Sequence, residues 1–297
     1  MTRKKYILQK TIDEWFRVHN LYNGKVIKLV AAKILRINSQ TITNLSVTNR
    51  CMNVFTKRYL FKIQLYGNNV ERDINNRKFF SSHAKSLVSP INIYEKKPLT
   101  FVMPLLDKPI LYDESACYIL NELAKCGHKV TFKIRDYSLI NVGLNIIRDC
   151  EYGELARKRI YKYLREKEGV QIRVGLVHGD FHRGNIMHMD GKPILIDFDC
   201  ARENDVQAID ALYYVLEEVG YKHRHSESWL GYWISVYKNI ASIEEHICLE
   251  QVDVDLKFGL ILLLLERLAQ DVQYDYSFVS SKRDAINKIN KLFVGEM

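Results

Sequence analysis

"HGDFHRGNIMHMDGKPILIDFD", His178 to Asp199, decides how the whole chain is read. It holds four aspartates (Asp180, Asp190, Asp197 and Asp199), two further histidines and Asn185, and it ends beside the apolar run Ile194-Leu195-Ile196. Solvated loops carry such polar residues, but strand-like apolar runs seldom frame them. Asn185-to-Met189 and Pro193-to-Phe198 read as two strands joined by Asp190-Gly191, a dipeptide that favours two-residue hairpin turns. The hairpin returns Asp197 towards the loop that carries Asp180 and Asn185. A capped surface turn would account for Asp190-Gly191. It would not account for Asp180, Asn185 and Asp197 in register with two buried strands.

Composition narrows the function classes. The chain has 297 residues, 47% of them hydrophobic, enough for one large domain or two lobes. Its six cysteines form no C-x-x-C pair, and its nine histidines have no zinc-type spacing, so they read as reduced thiols and ordinary histidines of a cytoplasmic protein. The N-terminal stretch lacks the apolar core of a signal peptide. The most apolar run, Phe258–Leu265, is far shorter than the ~20 residues of a membrane span and reads as a buried helix; no transmembrane segment is expected. Residues 1–110 carry 20 Lys and Arg against 6 Asp and Glu, whereas residues 111–297 carry 24 against 29. A basic first third attracts nucleic acid, an anionic membrane or a polyphosphate ligand, although a lysine-coated surface explains most of these charges.

Element patterns place the hairpin in context. Asp13-Glu14 marks a helix start, and residues 26–35 read as a short helix. TITNLSVT (41–48), CMNVFT (51–56) and RYLFKIQLY (58–66) read as consecutive antiparallel strands, rich in β-branched and aromatic residues. A helix over 70–84 and two strands over 91–97 and 99–106 follow. Asp113 is expected to cap a helix running to Lys125, Tyr152–Lys167 reads as another, and VGLVH as a strand before the hairpin. Everything beyond residue 202 reads as helix, over roughly 205–219, 227–241, 252–272 and 280–293. The expected fold class is α+β, with a sheet-rich lobe (1–106) before a larger helical lobe (107–297) interrupted by one hairpin.

The convergent residues suit phosphoryl transfer, which asks a protein for a metal site, an orienter for the attacking hydroxyl and positive charge on the phosphates. Magnesium takes oxygen ligands and keeps several waters, so one or two protein groups suffice. Asp180 would accept or orient the hydroxyl proton, and Asn185 and Asp197 would hold Mg²⁺. Asp199 would be a supporting acid, and His178 would fix the loop rather than carry a proton.

H-G-D-x-x-x-x-N followed by I-D-F-D resembles the signature of the aminoglycoside phosphotransferase and choline kinase-like families, relatives of the protein kinases. His178-Gly179-Asp180, Asn185 and Asp197 match residue by residue, and His182 and Gly184 match the usual D-x-H-x-G-N form. The resemblance implies a two-lobed, protein kinase-like fold that uses ATP. It also implies a phosphate-contacting lysine on the third strand, for which Lys62 is the match. Lys62 alternates with Phe61 and Ile63 and so points to the opposite face. Its carboxylate partner is expected on the next helix, where Glu71 and Asp73 both qualify and Glu71 has the longer reach. The stretch from Thr48 to Asn53 has no glycine, a departure from the protein kinase loop; Thr48, Asn53 and the backbone there would cover the phosphates. The adenine would dock against the Pro104 carbonyl and the Leu106 amide. Asp210 resembles an aspartate that braces the catalytic loop.

The reading expected from all this is a kinase that moves the γ-phosphate of ATP to a hydroxyl of a small molecule or glycan, such as an aminoglycoside, an amino alcohol or a sugar. A protein kinase is the first alternative, against which no A-P-E-like motif follows the hairpin. A catalytically silent or nucleic-acid-binding scaffold is the second, against which Asp180, Asn185 and Asp197 are all present. The segment after the hairpin, where acceptor selectivity lies in these families, is rich in aromatics and acids (Tyr213, Trp229, Trp233, Glu217, Glu218).

Overall fold

The computed structural model describes residues 24–47, 51–65, 68–94, 98–223, 229–274 and 278–295. The chain divides into two compact units. The first holds the described residues up to Phe79, Val88–Asp107 and Asp197–Asp199, and the second holds Phe80–Leu87, Lys108–Ile196 and the residues from Cys200 on. The helix start at Asp13-Glu14 lies outside the described residues.

Alternation builds the first unit. Helix α1 (Gly24–Leu35) precedes β1 (Ile42–Val47), β2 (Cys51–Thr56) and β3 (Tyr59–Gln64). Helix α2 (Asn69–His83) separates these strands from β4 (Asn92–Tyr94) and β5 (Thr100–Pro104). The strands pair antiparallel in the order β1-β2-β3-β5-β4. Successive side chains of a strand take opposite faces. Met52, Val54 and Ile63 therefore share one face, where they pack with Ile27, Ala31 and Ala32 of α1 in a single buried cluster. Asn53, Lys62 and Phe101 stand directly across from one another in the register of β2, β3 and β5, on the opposite face.

The second unit opens with α3 (Tyr112–Lys125), β6 (His128–Thr131), α4 (Ser138–Arg148) and α5 (Gly153–Glu166). Strand β7 (Gln171–Val177) leads to the hairpin of β8 (Ile186–Met189) and β9 (Lys192–Leu195). Ile186 pairs with Leu195 and Met189 with Lys192, which leaves Asp190-Gly191 as the turn. Both turn residues have positive φ, 52° and 75°, as the type I′ hairpin turn requires. Strand β10 (Arg202–Val206) follows, then α6 (Ala208–His223), α7 (Trp229–Lys238), α8 (Leu256–Tyr274) and α9 (Phe278–Gly295).

Three expectations are corrected here. Residues 202–206 form a strand, because Arg202, Asp205 and Val206 pair antiparallel with Val177, Gly175 and Val174. With β6 on the other side of β7, they make a three-stranded sheet in the order β10-β7-β6, so this unit holds a second sheet besides the hairpin. RENDV has no strand-like alternation of its own; the buried β7 supplies the pairing edge. Asp113 does not cap α3: Leu111 stands at the cap without a side-chain bond, and the Asp113 carboxylate accepts from the Tyr214 hydroxyl at 2.7 Å.

Helix α8 forms the centre of the second unit. Phe258, Leu260 to Leu265, Leu268 and Ala269 are all buried, as expected of a helix apolar on every side. No helix among the described residues is long and apolar enough to cross a membrane. α4 crosses α8 so closely at Gly143 that a Cβ there would stand 2.2 Å from the Leu265 carbonyl oxygen. Backbone cannot yield as a side-chain tip can. Gly143→Ala is therefore expected to destabilise the fold by about 1–3 kcal/mol, the usual cost of overpacking. Val142→Ala, at a neighbouring 37% exposed position, should cost far less; paired thermal melts check the difference.

Candidate active site

Within the first unit, β3 and α2 bring charges together out of contact with water. Lys62 is 6% exposed and Asp73 fully buried. The Lys62 ammonium donates to Asp73 Oδ2 at 2.9 Å and also to Asp197 Oδ1. The other Asp73 oxygen accepts from Arg77 Nε at 2.9 Å, one turn along α2, and from the Phe198 amide at 3.3 Å. The Arg77 guanidinium lies 5.3 Å from the Phe101 ring and 4.8 Å from the Phe198 ring. Burial alone would lower the pKa of Lys62, but Asp73 and Asp197 outweigh it and hold the ammonium charged. Burial would likewise raise Asp73, and Arg77 and Lys62 bring it below its ordinary value.

The partner of Lys62 is thus Asp73 and not Glu71, which is exposed. Two residues along a helix turn the side chain by roughly 200°. With Val70, Ile74 and Phe80 buried, Asp73 takes the inner face. α2 also holds Asp197–Asp199 in place. The Asn69 amide donates to Asp199 Oδ2 at 2.7 Å and the Asn76 amide to the Phe198 carbonyl at 2.7 Å. Asp197 has a φ of 62°, a left-handed backbone that these contacts fix.

The second unit carries the loop from His178 to Asn185. Asp210, in the first turn of α6 and 1% exposed, accepts from two consecutive backbone amides, His178 at 2.6 Å and Gly179 at 2.9 Å. The His178 ring, fully buried, bonds the Ile196 carbonyl at 2.8 Å through Nε2. Only glycine fits at 179: φ is 76°, and a Cβ would stand 2.5 Å from the Cys200 carbonyl oxygen. Asn185 donates its amide to the Asp180 carbonyl at 2.9 Å and to Asp180 Oδ2 at 3.3 Å. His182 Nδ1 accepts from the Gly184 amide at 3.0 Å, and Nε2 lies 3.2 Å from the Asn185 amide nitrogen and 3.5 Å from Asp180 Oδ2.

Asp180 has a further partner that sequence reading missed. Arg267 of α8 donates to Asp180 Oδ1 at 2.9 Å and to the Gly179 carbonyl at 2.7 Å. Burial would push the Asp180 carboxyl up, but Arg267 and His182 outweigh it and hold it well below the usual carboxylate range. Burial opposes a charge on His182 too, and Asp180 outweighs it, raising that pKa. One signal was in the sequence: Glu266-Arg267 interrupts an apolar helix, and charges so placed need buried partners.

Of the remaining expected residues, Asn53 lies in β2 opposite Lys62 rather than in a loop. Pro104 ends β5 opposite Tyr59, where the Leu105 amide closes the ladder on the Arg58 carbonyl, and Leu106 follows half-buried. Thr48 lies outside the described residues. Among the described residues, no group of three or more His, Cys, Asp or Glu could hold a metal ion. A magnesium site needs no such group, because one or two oxygen ligands with water and phosphate are enough. Each unit carries an oxygen group of the kind magnesium takes: in the second the amide of Asn185, whose nitrogen is turned onto Asp180, and in the first the carboxylate of Asp197, whose side chain is 41% exposed.

The chain matches the phosphotransferase enzyme family over residues 148–208, the segment that holds Asp180, Asn185 and Asp197. No sequence among the curated proteins matches it. Among solved structures, it is similar to a thermostable mutant of aminoglycoside phosphotransferase APH(4)-Ia in its apo form, with 13% identity, 89% of this chain and 98% of that chain covered, and a TM-score of 0.51. A second structure of aminoglycoside phosphotransferase APH(4)-Ia gives 10% identity, 90% and 98% coverage and a TM-score of 0.50. The α+β fold, with an antiparallel sheet first and a mainly helical unit after it, is the fold of these phosphotransferases.

Asp210→Ala should leave the His178 and Gly179 amides without acceptors, at about 1–3 kcal/mol for each buried donor. Asp210→Asn keeps one acceptor oxygen and should cost less. Denaturant midpoints of the two variants check the order.

Proposed function

We propose that the chain is a kinase that transfers the γ-phosphate of ATP to a hydroxyl of a small-molecule or glycan acceptor. The observation that carries this reading is Asp180: a carboxylate kept ionised, on a loop braced by Asp210, with Asn185 bonded to it. Phosphoryl transfer needs positioning and charge stabilisation more than covalent chemistry, and the residues divide those tasks. Asp180 orients the acceptor hydroxyl and receives its proton. Lys62, held charged by Asp73 and Asp197, pairs with phosphate oxygens. Asn185 and Asp197 would hold Mg²⁺, which when bound neutralises charge on the phosphates. Asn53 stands across from Lys62 on the same sheet face, which suits a part in covering the phosphates together with Thr48. Pro104 and Leu106 offer backbone groups to the adenine. Glu71 has no part in this scheme, and Asp73 takes its place beside Lys62. Asp199, bonded to Asn69, supports the strand end that carries Asp197.

The test follows labelled γ-phosphate from Mg-ATP with a panel of sugars, amino alcohols and aminoglycosides, and with a cell extract. Wild type is expected to label a small molecule or glycan, and Asp180→Asn to lose roughly 10²–10⁴ of that rate. Label passing to protein instead would make it a protein kinase. No label in any arm, with no rise in melting temperature on adding Mg-ATP, would sink the reading; a ligand at a hundredfold excess over Kd should stabilise by about 2.7 kcal/mol.

A further inference from the structure

Helix α8 is apolar on every side except for a few residues, and two adjacent charged ones, Glu266 and Arg267, both find buried or half-buried partners. Glu266, 1% exposed, accepts from Arg202 Nη2 at 3.0 Å. Arg267 turns the other way. Its two terminal nitrogens divide between adjacent residues of the loop, Nη1 on the Gly179 carbonyl and Nη2 on Asp180 Oδ1. Nη2 also reaches the Tyr213 hydroxyl at 3.0 Å, and the guanidinium lies 4.3 Å from the Tyr213 ring. Asp271, one turn further along α8, stands 3.7 Å from Arg267 Nε and accepts from Trp229 Nε1 at 2.8 Å. The guanidinium plane is therefore fixed from three sides: a ring, a carboxylate and a backbone carbonyl.

Such a rigid fork does something that an isolated ion pair does not. A carboxylate can turn about its Cβ–Cγ bond and exchange its two oxygens. With Oδ1 taken by Arg267 and the neighbouring carbonyl held by the same side chain, Asp180 has one orientation left. Oδ2 is then the oxygen turned away from Arg267, where it accepts from the Asn185 amide at 3.3 Å and lies 3.5 Å from His182 Nε2. Stability alone is a poor reason for this arrangement, because apolar residues of similar volume often replace buried ion pairs without loss.

We infer that Arg267 is a positioning residue for the transfer reaction: it locks the rotation of Asp180 so that Oδ2 is the oxygen that receives the acceptor hydroxyl. The inference rests on the phosphotransferase reading above and adds a residue to it. Arg267 touches neither the phosphate nor the acceptor in this role. It acts through Asp180, so its loss should lower kcat while the KM for ATP changes little.

The experiment follows γ-label from Mg-ATP to the acceptor that wild type labels in the panel, or to water as inorganic phosphate. It compares Arg267→Met and Arg267→Lys, each in the wild-type and the Asp180→Asn backgrounds. An ångström-scale misplacement of a reacting group costs on the order of 10²-fold. A kcat loss of that order is expected for Arg267→Met, and a smaller one for Arg267→Lys, which keeps the charge but not the fork. Neither should lower the residual rate of Asp180→Asn further, because residues that act as one unit are not additive. If Arg267→Met does not fold, Arg267→Lys carries the test alone, by the same split between kcat and KM and the same comparison in the Asp180→Asn background. Unchanged kcat in the folded variants overturns the inference, and so does a loss repeated in full with Asp180→Asn, since that marks a general effect on the fold. An inactive wild type would instead sink the phosphotransferase reading itself, and this inference with it. An active wild type that is indifferent to Arg267 sinks this one alone.

Discussion

One buried carboxylate determines whether the loop from His178 to Asn185 can exist. Asp210 accepts from the amides of His178 and Gly179 at the point where β7 ends and the chain turns through a positive φ. Those amides have no strand partner there and lie buried, and a buried donor without an acceptor is costly. The rest of the loop builds on that brace. His178 bonds across to the Ile196 carbonyl, and Ile196 donates back to the Asn185 carbonyl. The two ends of the hairpin are thereby tied to the loop. Asp180 stands between the braced turn and the hairpin, gripped from α8.

The first unit solves a related problem with a different set of partners. A lysine and an aspartate buried together have left water at a cost of several kcal/mol each, recovered only when the remaining lone pairs and protons are satisfied. Here they are. Asp73 receives Lys62, Arg77 and the Phe198 amide, and Arg77 lies between two aromatic rings. The consequence is a lysine that stays charged and a strand end, Asp197–Asp199, held by Lys62 of β3 and by Asn69 and Asn76 of α2. The packing of α1 on the opposite face of the sheet leaves the Lys62 face free of that apolar cluster.

Both units keep charge away from water and use neighbouring groups to hold its sign. Asp180 and Lys62 are each shifted towards their ionised forms against the effect of burial. The opposing effect is the same in both cases, desolvation, and the stronger one is a nearby opposite charge. Charges that are already in place need little reorganisation.

The sequence by itself determined what depends on local spacing. The alternation around Lys62 put it opposite to Phe61 and Ile63, because a strand's side-chain period is two. The Asp190-Gly191 pair marked the hairpin turn, because both positions require positive φ. The pairing of Ile186 with Leu195 and of Met189 with Lys192 follows from that turn. Tertiary structure decided the partners. Whether Glu71 or Asp73 met Lys62 depended on which face of α2 was covered, and two residues along a helix are on nearly opposite sides. RENDV became a strand because β7 offered an edge, a pairing no local pattern encodes. Arg267 reached Asp180 across 87 residues of chain; backbone period reaches a few residues, whereas only packing brings together groups so far apart.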